Sequence, residues 1–229
     1  MIKSGIDQEA IIGMFSQATA KQGEALRKAV SEATLKALQG RELSMANICK
    51  VLKSVTDASS AGAALNPGGQ VDVEALLSKA FAGMDAALLQ AVQANRKALE
   101  QFASQGVDMQ GKQMQGALAN VEKMEDVFFA TVSKAVKDAS GPMQGPWEHV
   151  LSAMKISGTQ TGNQAQLTIE KLMQQSRDAI RDSRASSMKA AQTMMDSYSA
   201  LVSGVLIGMS EGLSQGGSGA AGEGRARKK

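Results

Sequence analysis

Cys49 and His149 are the only cysteine and the only histidine among 229 residues, so they bound the metal and thiol chemistry open to this chain. A metal site built from His and Cys needs several ligands converging on one ion, and only one of each is present. A nucleophile–base pair of Cys49 and His149 is the remaining possibility. The plainer expectation is a cysteine on a helix face and a histidine at the surface. Carboxylates are plentiful, but Glu122, Glu125 and Asp126 have the scatter of solvated charges on a helix. No phosphate-binding glycine loop of the Walker or dinucleotide kind occurs, and the Gly-x-x-x-Gly spacings follow no strand-like segment. The expectation is therefore no enzyme, no cofactor and no metal. With one cysteine there is no intramolecular disulfide, which suits a reducing cytoplasm.

The elements that must carry these residues are helices. Aromatic residues make up 3% of the chain, and the apolar material is Ala, Leu, Val and fourteen Met. Ala, Leu, Met, Gln, Lys and Glu lose little side-chain entropy in a helix, while the β-branched and aromatic residues that favour strands are few. Only Pro67, Pro142 and Pro146 interrupt the chain. The first ten residues lack the basic-then-apolar layout of a signal peptide. No stretch reaches the roughly 18 consecutive apolar residues of a spanning helix; Ala200 to Met209 comes nearest. A soluble, cytoplasmic protein without a membrane span is expected.

The first helical stretch is expected from Asp7, as its cap, to Gln39, with Ile11, Phe15, Ala18, Leu26, Val30 and Ala33 on one face. A shorter helix follows over 43–58, with Ser44 as an alternative cap and Ile48, Val51, Leu52 and Val55 inward. These form an N-terminal helical segment, 1–60. Residues 61–70, with Gly62 and then Asn66-Pro67-Gly68-Gly69, are expected as a linker. Asp72 then caps a new helix, with Val71 and Leu76 at the spacing of a hydrophobic staple. From there Leu77, Phe81, Met84, Leu88, Ala91, Asn95, Ala98 and Phe102 alternate at four and three residues. That heptad seam packs helices at a shallow angle, and the polar Asn95 within it sets register or partner number.

After glycines near 106, 111 and 116 the period returns with Met114, Leu118, Val121, Met124, Phe128, Val132 and Ala135. Pro142 and Pro146 end that helix, and Pro146 opens the next in a first turn that needs no donor. Trp147 is expected to anchor the turn between helices. Gly158 and Gly162 break or bend the chain. A last long helix is expected over 163–208, and Met188, Met195, Tyr198, Val202 and Val205 share its apolar face. Gly204 and Gly208 are expected to permit close helix packing. Residues 71–213 thus form the main bundle, and 214–229 a disordered Gly/Ser-rich tail. The tail ends in Arg225, Arg227, Lys228 and Lys229. Removing those four charges from the net +3 leaves residues 1–224 one negative charge, so the body has no basic field. The tail itself is a candidate for weak, salt-sensitive contact with nucleic acid or another anionic partner.

The stretch LLQAVQANRKALEQFASQG, from Leu88 to Gly106, resembles the phasins, helical proteins that coat polyhydroxyalkanoate storage granules in bacteria. The resemblance covers about one helix together with the Gln/Asn/Ala-rich texture and the lack of a catalytic set. A separate N-terminal segment departs from a simple phasin. The resemblance implies a cytoplasmic granule-associated protein. The reading is all-α: an elongated helical bundle or antiparallel coiled-coil-like assembly with a disordered tail. Leu77, Phe81, Met84, Leu88, Asn95, Phe102, Met188, Met195, Tyr198, Val202 and Val205 are the candidate contacts to an apolar granule surface. The rival is a self-associating structural or regulatory scaffold, in which the same residues meet other copies of the chain as a homo-oligomer.

Overall fold

Several helices of this protein begin where side chains capture the free amides of a first turn. In the computed structural model, which describes residues 5–19, 22–39, 43–66, 72–104, 112–139, 141–182 and 198–218, Asp7 accepts from the Ala10 amide at 3.0 Å and opens α1, Gln8–Ser16. Helix α2 is Gly23–Gln39. Ser44 accepts from the Asn47 amide at 3.4 Å and opens α3, Met45–Ala64. Asp72 accepts from Glu74 and Ala75 at 3.0 and 3.2 Å and opens α4, Val73–Ser104. A cap of this kind is worth about 1 kcal/mol. The chain continues through α5 (Lys112–Glu122), α6 (Met124–Ala139), α7 (Gln144–Ser157), α8 (Gln160–Asp182) and α9 (Tyr198–Ser218). The fold is all-α, with no strand among the described residues.

Several boundaries differ from expectation, each for a physical reason. The single helix expected from Asp7 to Gln39 is two. Asn66 donates to the carbonyls of Phe15 and Ala18 at 2.9 and 3.1 Å, satisfying the end of α1, and a turn closed by Gln22 donating to the Thr19 carbonyl leads into α2. Asn66 therefore acts as a cap rather than as part of a slack linker. The linker expected from residue 61 is helical as far as Ala64. Gly158, at φ 74°, ends α7 in a conformation that a Cβ would oppose, whereas Gly162 lies inside the first turn of α8. The last helix, expected over 163–208, is described as α8 and α9, and residues 183–197 lie outside the described residues. Residues 214–218, expected in the tail, belong to α9. Residues 219–229 and Val71 of the expected staple lie outside the described residues.

Helix α4 runs through the centre and touches α2, α3, α7, α8 and α9. Leu76, Leu77, Ala80, Phe81, Met84, Ala87, Leu88, Ala91, Val92, Ala94, Ala98, Leu99 and Phe102 are all buried along it, a wide apolar face covered by several helices, while Glu74, Lys97 and Gln101 stay exposed. For the same reason it satisfies the length and composition of a membrane-crossing helix over 73–102, with a mean hydropathy of 1.3, although most of it is buried by its neighbours. It exceeds Ala200 to Met209, which the sequence alone singles out. The helices before residue 65 share this core. Ile11, Phe15, Leu26, Val30, Val51 and Val55 join one apolar cluster with α4, Phe128 of α6 and Trp147 of α7.

Two glycines make that sharing possible. A Cβ on Gly83 would lie 2.6 Å from the Arg27 carbonyl oxygen and 2.8 Å from the Val30 Cβ, so α2 crosses α4 over bare backbone. A Cβ on Gly62 would lie 2.7 Å from the Ile12 carbonyl oxygen, and α1 crosses α3 there. Gly62, expected as a linker residue, is a packing contact. Hydroxyls widen the buried faces further. Thr34, Thr56, Ser60 and Thr168 return their protons to carbonyls four residues earlier at 2.7–2.9 Å, so they enter the core with no unmet donor.

Candidate interaction surface

The heptad seam of α4 faces inward. Leu77, Phe81, Met84, Leu88 and Phe102 are buried to 2% exposure or less by the protein's own helices. They are core residues in this fold and are not exposed as contacts to a granule or to another copy. Phe81 stacks on Phe128 of α6 at 4.4 Å between centroids, and Met84 Sδ lies 3.8 Å from the Thr56 hydroxyl oxygen of α3. Asn95, 9% exposed, is polar in the seam because it has partners within the chain. Its Nδ2 donates to the Ala91 carbonyl at 2.8 Å, and its Oδ1 accepts from the Tyr198 hydroxyl at 2.8 Å. The Tyr198 ring also tilts against Phe102 at 5.8 Å. Burial disfavours the phenolate, so the Tyr198 phenol is held well above its ordinary pKa.

Tyr198 is the anchor of α9, which packs on α4 and α2. Val202 and Leu206 complete its inner side, at 1% and 0% exposure. From Tyr198 to Ser210 the helix carries no charged residue. Its outer side is consequently apolar as well. Ile207 is 37% exposed, and Leu201, Val205 and Met209 are half-buried. Gly204 and Gly208 were expected to permit close helix packing. Among the described residues a Cβ on either would meet nothing within 4 Å, so they form an open edge of the described bundle. Among the candidate contacts on the last helix, Val202 therefore points inward, Tyr198 is tied to Asn95, and Val205 stands at the border. Met188 and Met195 lie outside the described residues, as do Arg225, Arg227, Lys228 and Lys229.

Two polar features were not legible beforehand. Asp85, 7% exposed on α4, accepts from the Gln160 and Thr161 amides at 2.9 and 3.0 Å. Glu125 of α6, expected as a solvated face charge, accepts from the Thr159 amide at 3.1 Å and from the Thr159 hydroxyl, whose oxygen in turn accepts from Gly162. The positive end of α8 is thus filled by the protein's own carboxylates. Asp85 gives no signal by sequence spacing, because it serves a helix start about 75 residues away. The second feature is Trp147, expected to anchor the turn between helices, which reaches across the core and donates to Ser60 Oγ at 2.8 Å.

Cys49 and His149 have different partners. Thr131 donates to Cys49 Sγ at 3.4 Å between α3 and α6, while His149 Nδ1 pairs with Glu74 at 2.7 Å between α7 and α4. Among the described residues no three His, Cys, Asp or Glu side chains are grouped to hold a metal ion. On α2, Glu24 is held below its ordinary pKa first by its hydrogen bond to Lys79 of α4 and then by that to Arg27. What the described residues offer chemically is an uncharged, apolar helix edge on a bundle in which Asp85, Asn95 and Trp147 have polar partners on other helices and Glu125 has one at the start of α8.

No curated protein and no solved structure matches the chain. A family model does: it is described as a family of unknown function, DUF6781, and it matches residues 1–215, which span every helix from α1 to most of α9. The chain belongs to that family.

Proposed function

We propose that this is a non-catalytic helical protein that binds an apolar surface through the outer side of α9, with polyhydroxyalkanoate granules as the favoured target. The observation that carries the reading is that α9 is apolar on both sides: Val202 and Leu206 are covered by the bundle, while Ile207 and the open Gly204–Gly208 edge are not. A helix that only completed a core would carry charge on its outer face. Each 100 Å² of such surface removed from water contributes about 2.5 kcal/mol. The phasin-like texture of Leu88 to Gly106 supplies the choice of granule, not the contact, because that stretch is largely inside the bundle. A second reading, a self-associating scaffold, is favoured by the same edge, since two glycines with open space above them admit a close second helix.

Co-sedimentation with polyhydroxybutyrate particles tests the first reading, using the full chain, an Ile207→Asp, Gly208→Asp variant and an unrelated soluble globular protein. Both substituted positions are exposed, so helix content by circular dichroism should be unchanged. Binding should fall at least tenfold, about 1.4 kcal/mol or more, in the variant. Equal binding of variant, parent and control would overturn the reading. Absence of particle binding, together with a concentration-dependent dimer that the variant loses in sedimentation velocity, would establish the scaffold instead.

A further inference from the structure

A groove between α3 and α6 carries chemistry that the α9 surface does not. Its main part, about 470 Å³, is walled by Cys49 from α3 and by Val127, Ala130 and Ala135 from α6. Lys53 and Asp138 line this part and also a neighbouring recess of about 370 Å³ that reaches Trp147. The size is that of a pocket for one small ligand, for which about 300–1,000 Å³ is usual. Little on its walls is free to hydrogen-bond. Thr131 already gives its hydroxyl proton to Cys49 Sγ, and Lys53 is neutralised by Asp57 at 3.3 Å and Asp138 at 4.0 Å. Two other charges differ. Lys50 on the α3 wall and Lys134 on the α6 wall are exposed, line the groove, and have no carboxylate within ion-pairing distance among the described residues. An apolar trough with one uncompensated ammonium on each wall is complementary to a ligand with an aliphatic chain and a single anionic head.

We propose that this groove binds an amphiphilic monocarboxylate of the free fatty-acid class, its chain lying along Val127, Ala130 and Ala135 and its carboxylate between Lys50 and Lys134. Burial of the chain supplies affinity, and the two lysines supply the preference for a negative head. Exposed ion pairs contribute modestly and are screened by salt, so head-group selectivity weakens as ionic strength rises.

Cys49 makes the groove measurable, because it is the only cysteine in the full chain. Its alkylation by N-ethylmaleimide is followed with decanoate, decanol or decyltrimethylammonium present below their micelle-forming concentrations. Equilibrium dialysis of labelled decanoate measures binding without the thiol. Decanoate should protect Cys49 at the lowest concentration, decanol at a higher one and the cationic amphiphile least. In a Lys50→Glu, Lys134→Glu variant the half-protecting concentration of decanoate should rise about tenfold, the combined effect of two exposed ion pairs. The cationic amphiphile should then become the better protector. An Ala130→Trp variant, which fills the groove from an exposed position, should weaken all three ligands and lower bound decanoate in dialysis. Equal protection by the anionic and cationic amphiphiles overturns the proposal. So does decanoate binding unchanged by the double variant and by Ala130→Trp, or no decanoate bound in dialysis.

Discussion

Asn95 shows how much one residue can announce and how much it conceals. A polar side chain at a seam position predicts a specific partner, and Asn95 has one. The partner is Tyr198 of the same chain, 103 residues away, rather than Asn95 of a second copy. No spacing rule connects the two. Tyr198 is also the only tyrosine, so its titration can be followed directly by tyrosinate absorbance. Its phenol is raised above the ordinary value of about 10 by burial. The unfolded chain therefore loses this proton at lower pH than the folded chain. The contribution to stability is fully present below about pH 10 and declines as pH rises beyond it. We expect no tyrosinate at pH 10–11 while the helices are intact. We also expect a steeper alkaline loss of stability in the parent than in Tyr198→Phe. The substitution itself should cost about 1 kcal/mol, because Asn95 Oδ1 loses its donor. Tyrosinate appearing near its ordinary pH with full helicity would show that α9 does not seal Tyr198 against α4.

At the level of elements, the starts of α1, α3 and α4 were legible and helix approaches were not. Asp7, Ser44 and Asp72 cap the helices that their sequence context predicts, because a cap is a contact over two or three residues. Gly62 and Gly83 have no comparable local sign, since what excludes a side chain there is another helix. Their replacement tests the close crossings. Gly83→Ala and Gly62→Ala should each destabilise the protein by about 1–3 kcal/mol in urea denaturation, because the new methyl meets backbone rather than a side chain that can move. Gly13→Ala is the control: it lies in α1 with nothing within 4 Å of its Cβ, and it should stabilise by about 0.4–1 kcal/mol. If all three substitutions stabilise, α2 and α1 do not cross α4 and α3 at these glycines.

For the whole molecule, the decisive fact is that α4 is covered by helices from both ends of the chain. An N-terminal helical segment that stood apart would unfold separately. One apolar cluster shared by all nine described helices, α1 to α9, should unfold as one. Trp147 is the only tryptophan and bridges α7 to α3, so its fluorescence and the helical circular dichroism should follow coincident urea transitions. Leu88→Lys sharpens the point. Leu88 is fully buried within one chain, and an unpaired charge there should cost about 3–5 kcal/mol and abolish much of the helicity. A helical, folded monomer of the Leu88→Lys variant would mean that the seam serves an oligomer after all.

The order of amino acids is enough to say that the chain is helical, where α1, α3 and α4 begin, and which side of α4 is apolar. Each of these depends on residues within about one or two helical turns of one another. What the apolar sides meet was settled only by the packing of the whole chain. The period that marks a seam is the same whether a granule, a second copy or the same chain covers it. Only the assembled bundle shows Leu88 enclosed, Asp85 seated on a distant helix start, and Gly62 bearing a crossing where a linker was expected. It likewise shows Gly204 and Gly208 open, because whether a glycine is crowded is a property of the space beside it and not of its place in a repeat.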